Sequence, residues 1–214
     1  MIKILILVGV LVALGVLKRL APQLVGRWLG GVLGRAIGDH ALAQQPDAIH
    51  LEPTSSAPWK DAAAMRMLTE PLRSRGFEDA GAFRVREMPG VSVQLMTHPG
   101  ECMTAAIYEH PQAGTWFDIV TRYQNGKAVT FTTAKPTGLD PRPGFATIRA
   151  PGFGSAALFA RSRSERPAGE MKPALADQAR GEFEQAYADE MAWRKHRGIS
   201  GREVAETLKE RQAA

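Results

Sequence analysis

Apolar and polar residues change rhythm several times along this chain, and each rhythm predicts a different element. The first is an unbroken apolar run, Ile4 to Leu17, with Lys3 before it and Lys18-Arg19 after it. As a helix it would span about 21 Å at ~1.5 Å per residue. That is short of the roughly 30 Å hydrocarbon core, a gap that snorkelling cations and local thinning can close. A cleaved signal peptide has a core of similar length. No small-x-small site follows closely, since the next residues are Lys18-Arg19-Leu20-Ala21-Pro22 and Ala41-Leu42-Ala43 lies too far on. The expectation is an uncleaved anchor helix over 1–22, ended or kinked by Pro22.

A second rhythm follows over 23–38. Leu24, Val25, Trp28, Leu29, Val32, Leu33, Ala36 and Ile37 recur in pairs every four residues, a broad apolar helix face. Gly26, Gly30, Gly34 and Gly38 recur along one edge, with Arg27 and Arg35 on the remaining side. The arginines disfavour a second span and favour an amphipathic helix in the membrane interface. A repeated Gly-xxx-Gly edge also lets another helix approach closely. The competing reading is a floppy segment, since each glycine costs about 1 kcal/mol against alanine in a helix.

Residues 39–57 show no apolar period and read as a linker, with a domain over 58–167. Trp59, Ala62, Met65, Leu68 and Leu72 follow helical spacing, with Pro71 expected to kink the helix and Gly76 to stop it. From Phe77 the period becomes two. Strands are predicted near 80–86, 91–98, 103–109, 116–124 and 127–134, with another at Phe145–Arg149. Pro89-Gly90, Pro99-Gly100, the 111–114 stretch and Asn125-Gly126 punctuate them. Short connections imply an antiparallel meander. A two-residue Asn125-Gly126 loop would pair Arg122 with Val129, Val120 with Phe131 and Asp118 with Thr133. Both faces of that hairpin are partly apolar, so the second face should be at least partly covered. A short helix is expected at 155–161, then a solvated basic run to Arg166. A C-terminal helical extension over 168–214 follows. In it Phe183, Ala186, Tyr187, Met191 and Arg194 line one face, and a Ser200-Gly-Arg-Glu203 capping box opens the last helix. The predicted class is therefore α+β: an N-terminal membrane anchor helix, then an antiparallel meander packed with flanking helices.

Charge sharpens this division. The chain has 27 Lys and Arg against 22 Asp and Glu, a net charge of +5. Lys3, Lys18, Arg19, Arg27 and Arg35 supply that whole excess, because no acid occurs before Asp39. The remainder is neutral, which argues against nucleic acid as a partner and for anionic lipid headgroups near the anchor. More basic residues follow the apolar run than precede it, so the positive-inside rule favours a cytoplasmic soluble domain over an exported one. The single Cys102 excludes an intramolecular disulfide.

Candidate chemistry is sparse. His98 and His110 each precede proline, but one predicted strand separates them by more than about 20 Å, too far for one metal. Cys102 could meet His98 across a turn, although its neighbour Glu101 would raise the thiol pKa. Asp118, Arg122 and Thr133 share a mostly apolar face. They form either a structural ion pair or the polar part of a ligand pocket, with the 140–144 turn as its rim. No phosphate loop, nucleophile elbow or paired-cysteine motif occurs, and no cofactor is implied. The leading expectation is a membrane-anchored, non-catalytic binding or assembly module. It would associate with itself or another membrane protein through Gly26, Gly30, Gly34 and Gly38. A membrane-tethered small-ligand or lipid-binding domain is the alternative, and a hydrolase-like enzyme of unrecognised motif the next.

Overall fold

A computed structural model describes residues 40, 42–54 and 59–213. The expected anchor over 1–22 and the glycine-rich helix over 23–38, with Gly26, Gly30, Gly34 and Gly38, lie outside the described residues. The chain divides into two compact units: Pro46–Pro136 with Asp140–Trp193, and Thr137–Leu139 with the C-terminal segment from Arg194 and the described residues up to Gln45. Among the described residues no helix is long and apolar enough to cross a membrane.

The first unit is built on a seven-stranded sheet whose spatial order follows the chain: β1 (Leu51–Pro53), β2 (Glu78–Val85), β3 (Ser92–His98), β4 (Met103–His110), β5 (Gly114–Arg122), β6 (Ala128–Thr132) and β7 (Phe145–Arg149). β1 to β6 pair antiparallel in chain order; short connections join β2 to β6, as their proline- and glycine-rich turns imply, whereas a helix intervenes between β1 and β2. β7 instead runs parallel to β6, with Ala128 opposite Phe145 and Thr132 opposite Arg149. The longer 133–144 connection gives the chain room to return before pairing. β1 arises within the segment expected to be a linker. Ile49 just before it and Leu51 within it are buried, which is the apolar reason this short stretch docks on β2.

Both faces of the sheet are covered. On one, α1 (Ala62–Arg73) and α2 (Ser155–Glu165) pack over Met96, Met103, Ile107, Phe117, Ile119 and Phe131, contributing Met65, Leu72, Leu158 and Phe159. Asp61 caps α1 by accepting from the N–H groups of Ala63 and Ala64 at 3.0 and 2.9 Å. The helix runs through Pro71, and Gly76 follows it with φ of +92°. α2 is longer than predicted. The run from Arg161 continues the helix because its Ser162 is fully buried against Met103, while Arg166 reaches the Glu101 carboxylate at 2.8 Å. On the opposite face, α3 (Ala176–Arg197) lays Ala179, Phe183 and Tyr187 over Leu51, Val93, Leu95 and Ala106. α3 is thus a layer of the fold, where the sequence predicted an extension.

The β5–β6 register corrects the two-residue expectation. The loop has three residues, Gln124 to Gly126: Tyr123 N–H donates to Lys127 O at 2.9 Å and Gly126 N–H to Tyr123 O at 3.0 Å. Gly126 takes the left-handed conformation at φ +78°, the position that closes a three-residue loop built on a tight turn. Asp118 therefore pairs with Thr132, and Ile119 with Phe131. The one-residue slip moves Val129 and Phe131 onto the face of Phe117 and Ile119, where each is 1% exposed. Burying side chains of that size stabilises by roughly 1.5–3 kcal/mol each, which decides the register.

In the second unit, Leu42, Ile199 and Glu203 are buried. The Ser200–Glu203 capping box opens α4 (Gly201–Ala213), as the sequence implies.

Candidate functional site

Strand β5 alternates its side chains across the sheet, so Trp116, Asp118, Val120 and Arg122 share the face that carries α3. Trp116 stacks on its cross-strand partner Tyr108, 4.7 Å between centroids and 13° between planes. Asp118 follows, between Ala106 and Thr132. Its Oδ1 is sealed from solvent with no hydrogen-bond partner among the described residues. Burial raises the carboxyl to about 6, against the opposing influence of the Thr132 and Tyr108 hydroxyls and the Arg149 charge. Burial likewise pushes the Tyr108 hydroxyl well above its ordinary value, and the neighbouring Asp118 adds to the rise.

Arg122 ends β5 on the face that carries α3, with Glu182 of that helix beside it. Burial lowers its guanidinium below the ordinary value, and Glu182 on α3 opposes the fall. The closest Arg122–Glu182 approach is 3.8 Å, too long for a hydrogen bond. Lys172 holds the same carboxylate more closely, at 2.7 Å. Asp118 and Arg122 form no ion pair: the acid nearest Arg122 is Glu182, and the Tyr108 and Thr132 hydroxyls are the groups that act on Asp118.

Two depressions flank this end of the sheet. One, about 350 Å³, is lined by Arg122, Lys127, Arg142, Phe145, Lys172 and Glu182, with Asp189 also on its wall. The other, about 520 Å³, lies beside Tyr123, Arg142 and Phe145 and is rimmed by Pro141, Pro143 and Gly144. They share Lys127, Arg142 and Phe145. Arg142 lies over the Phe145 ring at 3.6 Å, a cation–π contact that fixes its guanidinium plane.

Of the residues singled out in the sequence, Arg122 lines the smaller depression, whereas Asp118 and Thr133 line neither. Thr133 closes the ladder instead. Its hydroxyl accepts from Phe117 N–H at 3.0 Å and lies 3.3 Å from Phe117 O. The pairing of Asp118 with Thr133 is replaced by Thr132 for the register reason above. The 140–144 turn is at the rim, as read from the sequence. Lys172 and Glu182 carried no signal, because only the tertiary fold brings them beside Arg122.

The remaining candidates hold the backbone. His98 caps the turn Pro99–Glu101, its Nδ1 accepting from Glu101 N–H at 3.2 Å, and its ring stacks on Phe159. Cys102 donates its thiol to Pro99 O at 3.6 Å and takes a left-handed φ of +53°. His110 accepts from the N–H groups of Gln112 and Ala113 at 3.1 and 3.0 Å. His98 and His110 stand at opposite ends of β4. Among the described residues no group of three or more His, Cys, Asp or Glu side chains is placed to hold a metal ion. No protein family, curated protein or solved structure matches this chain.

Proposed function

We propose that the protein is a membrane-anchored, non-catalytic binding or assembly module, held by a single N-terminal helix and working beside the membrane. The observation that carries this reading is the apolar run Ile4 to Leu17 between Lys3 and Lys18-Arg19, followed by the basic, acid-free stretch to Gly38. It matches an anchor with an interfacial helix facing anionic headgroups. The sheet unit supports the non-catalytic part of the reading. Its cysteine and its strand-end histidines are engaged in turns, and both sheet faces carry helices. The charge order around the run supports a cytoplasmic soluble part over an exported one.

Association is assigned to the ridge Gly26, Gly30, Gly34 and Gly38. Four residues turn a helix through about 400°, so on a helix these glycines would form one slowly twisting stripe without side chains. Lipid is as apolar as leucine, which leaves close backbone approach as one of the remaining forces between helices. Arg27 and Arg35 would repel their copies in a close parallel pair, so an antiparallel copy or another protein's helix fits better. Two experiments test the reading. Carbonate washing of native membranes should retain the full-length protein and release a form lacking residues 2–22; release of both refutes the anchor. Crosslinked species should vanish in the Gly30→Ile, Gly34→Ile double variant while membrane retention persists. Crosslinks that survive unaltered refute the ridge.

A further inference from the structure

The smaller depression collects an excess of positive charge in a chain region that is otherwise balanced. Arg122, Lys127, Arg142 and Lys172 meet only two carboxylates on its wall, Glu182 and Asp189. Of these acids, Glu182 has a cationic partner and Asp189 a neutral one. Glu182 is held by Lys172 at 2.7 Å, and Asp189 accepts from Gln185 at 2.7 Å. Lys127 and Arg142 make no ion pair among the described residues. Arg122 makes no side-chain hydrogen bond there, with 22% of its side chain exposed and its nearest acid at 3.8 Å. A guanidinium offers five donors in a fixed fork that matches a phosphate or carboxylate.

We propose that this groove binds the phosphate group of a small phosphorylated molecule, with Arg122 and Arg142 as its principal donors and Lys127 at the mouth. The charge selects the class. A carboxylate offers one negative charge, whereas a phosphate monoester carries about −1.5 to −2 near neutrality and three acceptor oxygens, enough for several cations at once. The size selects the rest of the ligand. A volume of about 350 Å³ falls within the range of small-molecule sites and exceeds what one phosphate fills. Phe145, already stacked by Arg142, supplies an apolar wall for the remainder. Such a group comes either from a soluble phosphate ester or from a phospholipid headgroup. The site is drawn wholly from the sheet unit and uses no residue of the proposed anchor or glycine ridge.

The test is calorimetric titration of the full-length protein in a neutral detergent with inorganic pyrophosphate, glycerol 3-phosphate and dihexanoyl phosphatidic acid, with acetate as the monoanion. Pyrophosphate should bind with Kd below about 1 mM and acetate at least about ten-fold more weakly. Arg142→Gln and Arg122→Gln should each raise the pyrophosphate Kd about five-fold or more, as expected for loss of a charge-assisted donor. Arg66→Gln removes an equal charge from an exposed position on α1 and should leave it within about two-fold. Arg142→Gln is the decisive variant if Arg122→Gln lowers the thermal midpoint, since Arg142 lies on a surface turn. Tighter binding of the short-chain phosphatidic acid than of glycerol 3-phosphate identifies a lipid source, and the reverse order a soluble ester. A pyrophosphate Kd above about 1 mM, or equal weakening by Arg66→Gln and Arg142→Gln, overturns the proposal.

Discussion

Glu203 returns to Ser200 the hydrogen bond it receives. Its own N–H donates to Ser200 Oγ at 3.2 Å, while its Oε2 accepts from Ser200 N–H at 3.0 Å and from the hydroxyl at 2.8 Å. Arg197 adds donations to both carboxylate oxygens at 2.8 and 3.0 Å, and Glu203 is fully buried. A cap is worth about 1 kcal/mol, and a charge-assisted bond about 1.5–3. Glu203→Ala should therefore raise amide exchange over residues 203–207 by about 10- to 100-fold, at ~1.4 kcal/mol per decade. Exchange in β3 and β4 should be unchanged. Unchanged exchange in α4 would mean that the cap carries no stability.

Asp118 gives stability a pH dependence of unusual sign for a carboxylate. Its folded-state value of about 6 lies above the ordinary 3.8, so the native protein keeps a proton that the unfolded chain releases. The stability this contributes is complete below about 3.8 and lost as pH rises through about 6. The shift corresponds to at most about 3 kcal/mol at ~1.4 kcal/mol per unit. Asp118→Asn should flatten the decline between about pH 4 and 7, and should be the more stable protein at pH 8. Denaturant titrations across that range check it. Parallel curves for the two proteins would show that Asp118 titrates like an exposed acid.

Gly126 and Gly138 share a left-handed backbone, with φ of +78° and +71°, but differ in what a side chain would meet. A Cβ on Gly126 has nothing within 4 Å. One on Gly138 would lie 2.4 Å from the backbone nitrogen of Thr207, whose hydroxyl bonds Thr137 O at 2.6 Å. Gly126→Ala should cost only the conformational penalty, about 1–2 kcal/mol, read as a lower denaturation midpoint of the sheet unit. Gly138→Ala adds a backbone clash and should break the Thr207–Thr137 bond. The expected sign is faster amide exchange near Thr207, by about ten-fold or more. Protection at Thr207 equal to that of the unsubstituted protein would count against this packing.

How much of this was legible depends on how local its cause is. The inner strands follow from period-two alternation and from turns such as Pro99-Gly100, all within a few residues of each other. β1 is too short to show a period and contains Pro53, which suits an edge strand but reads as a loop. The parallel pairing of β7 depends on how the 133–144 connection returns, which no local pattern encodes. The β5–β6 register turned on one residue of loop length. It was settled by burial of Val129 and Phe131, not by the Asn-Gly pair alone. Arg122 was visible as a cation on an apolar face. Its surroundings were not, because Arg142, Lys172 and Glu182 lie 20 to 60 residues away and only the fold gathers them.

Thr133 offers the clearest separation of structure from binding. It was grouped with Asp118 and Arg122 from sequence, yet its hydroxyl serves the backbone of Phe117 at 3.0 and 3.3 Å, standing in for a ladder bond just beyond β6. Phe117 is itself 2% exposed, so its N–H has no access to water if the hydroxyl is removed. An unsatisfied buried donor costs roughly 1–3 kcal/mol. Thr133→Val keeps the shape and deletes the bond, and should destabilise by about that amount in denaturant titration. Thr133→Ser keeps the hydroxyl and should recover most of the loss. Neither change touches the groove at Arg122 and Arg142, so pyrophosphate affinity should match the unsubstituted protein in both. A weakened affinity in Thr133→Val at full stability would instead place Thr133 in the binding surface.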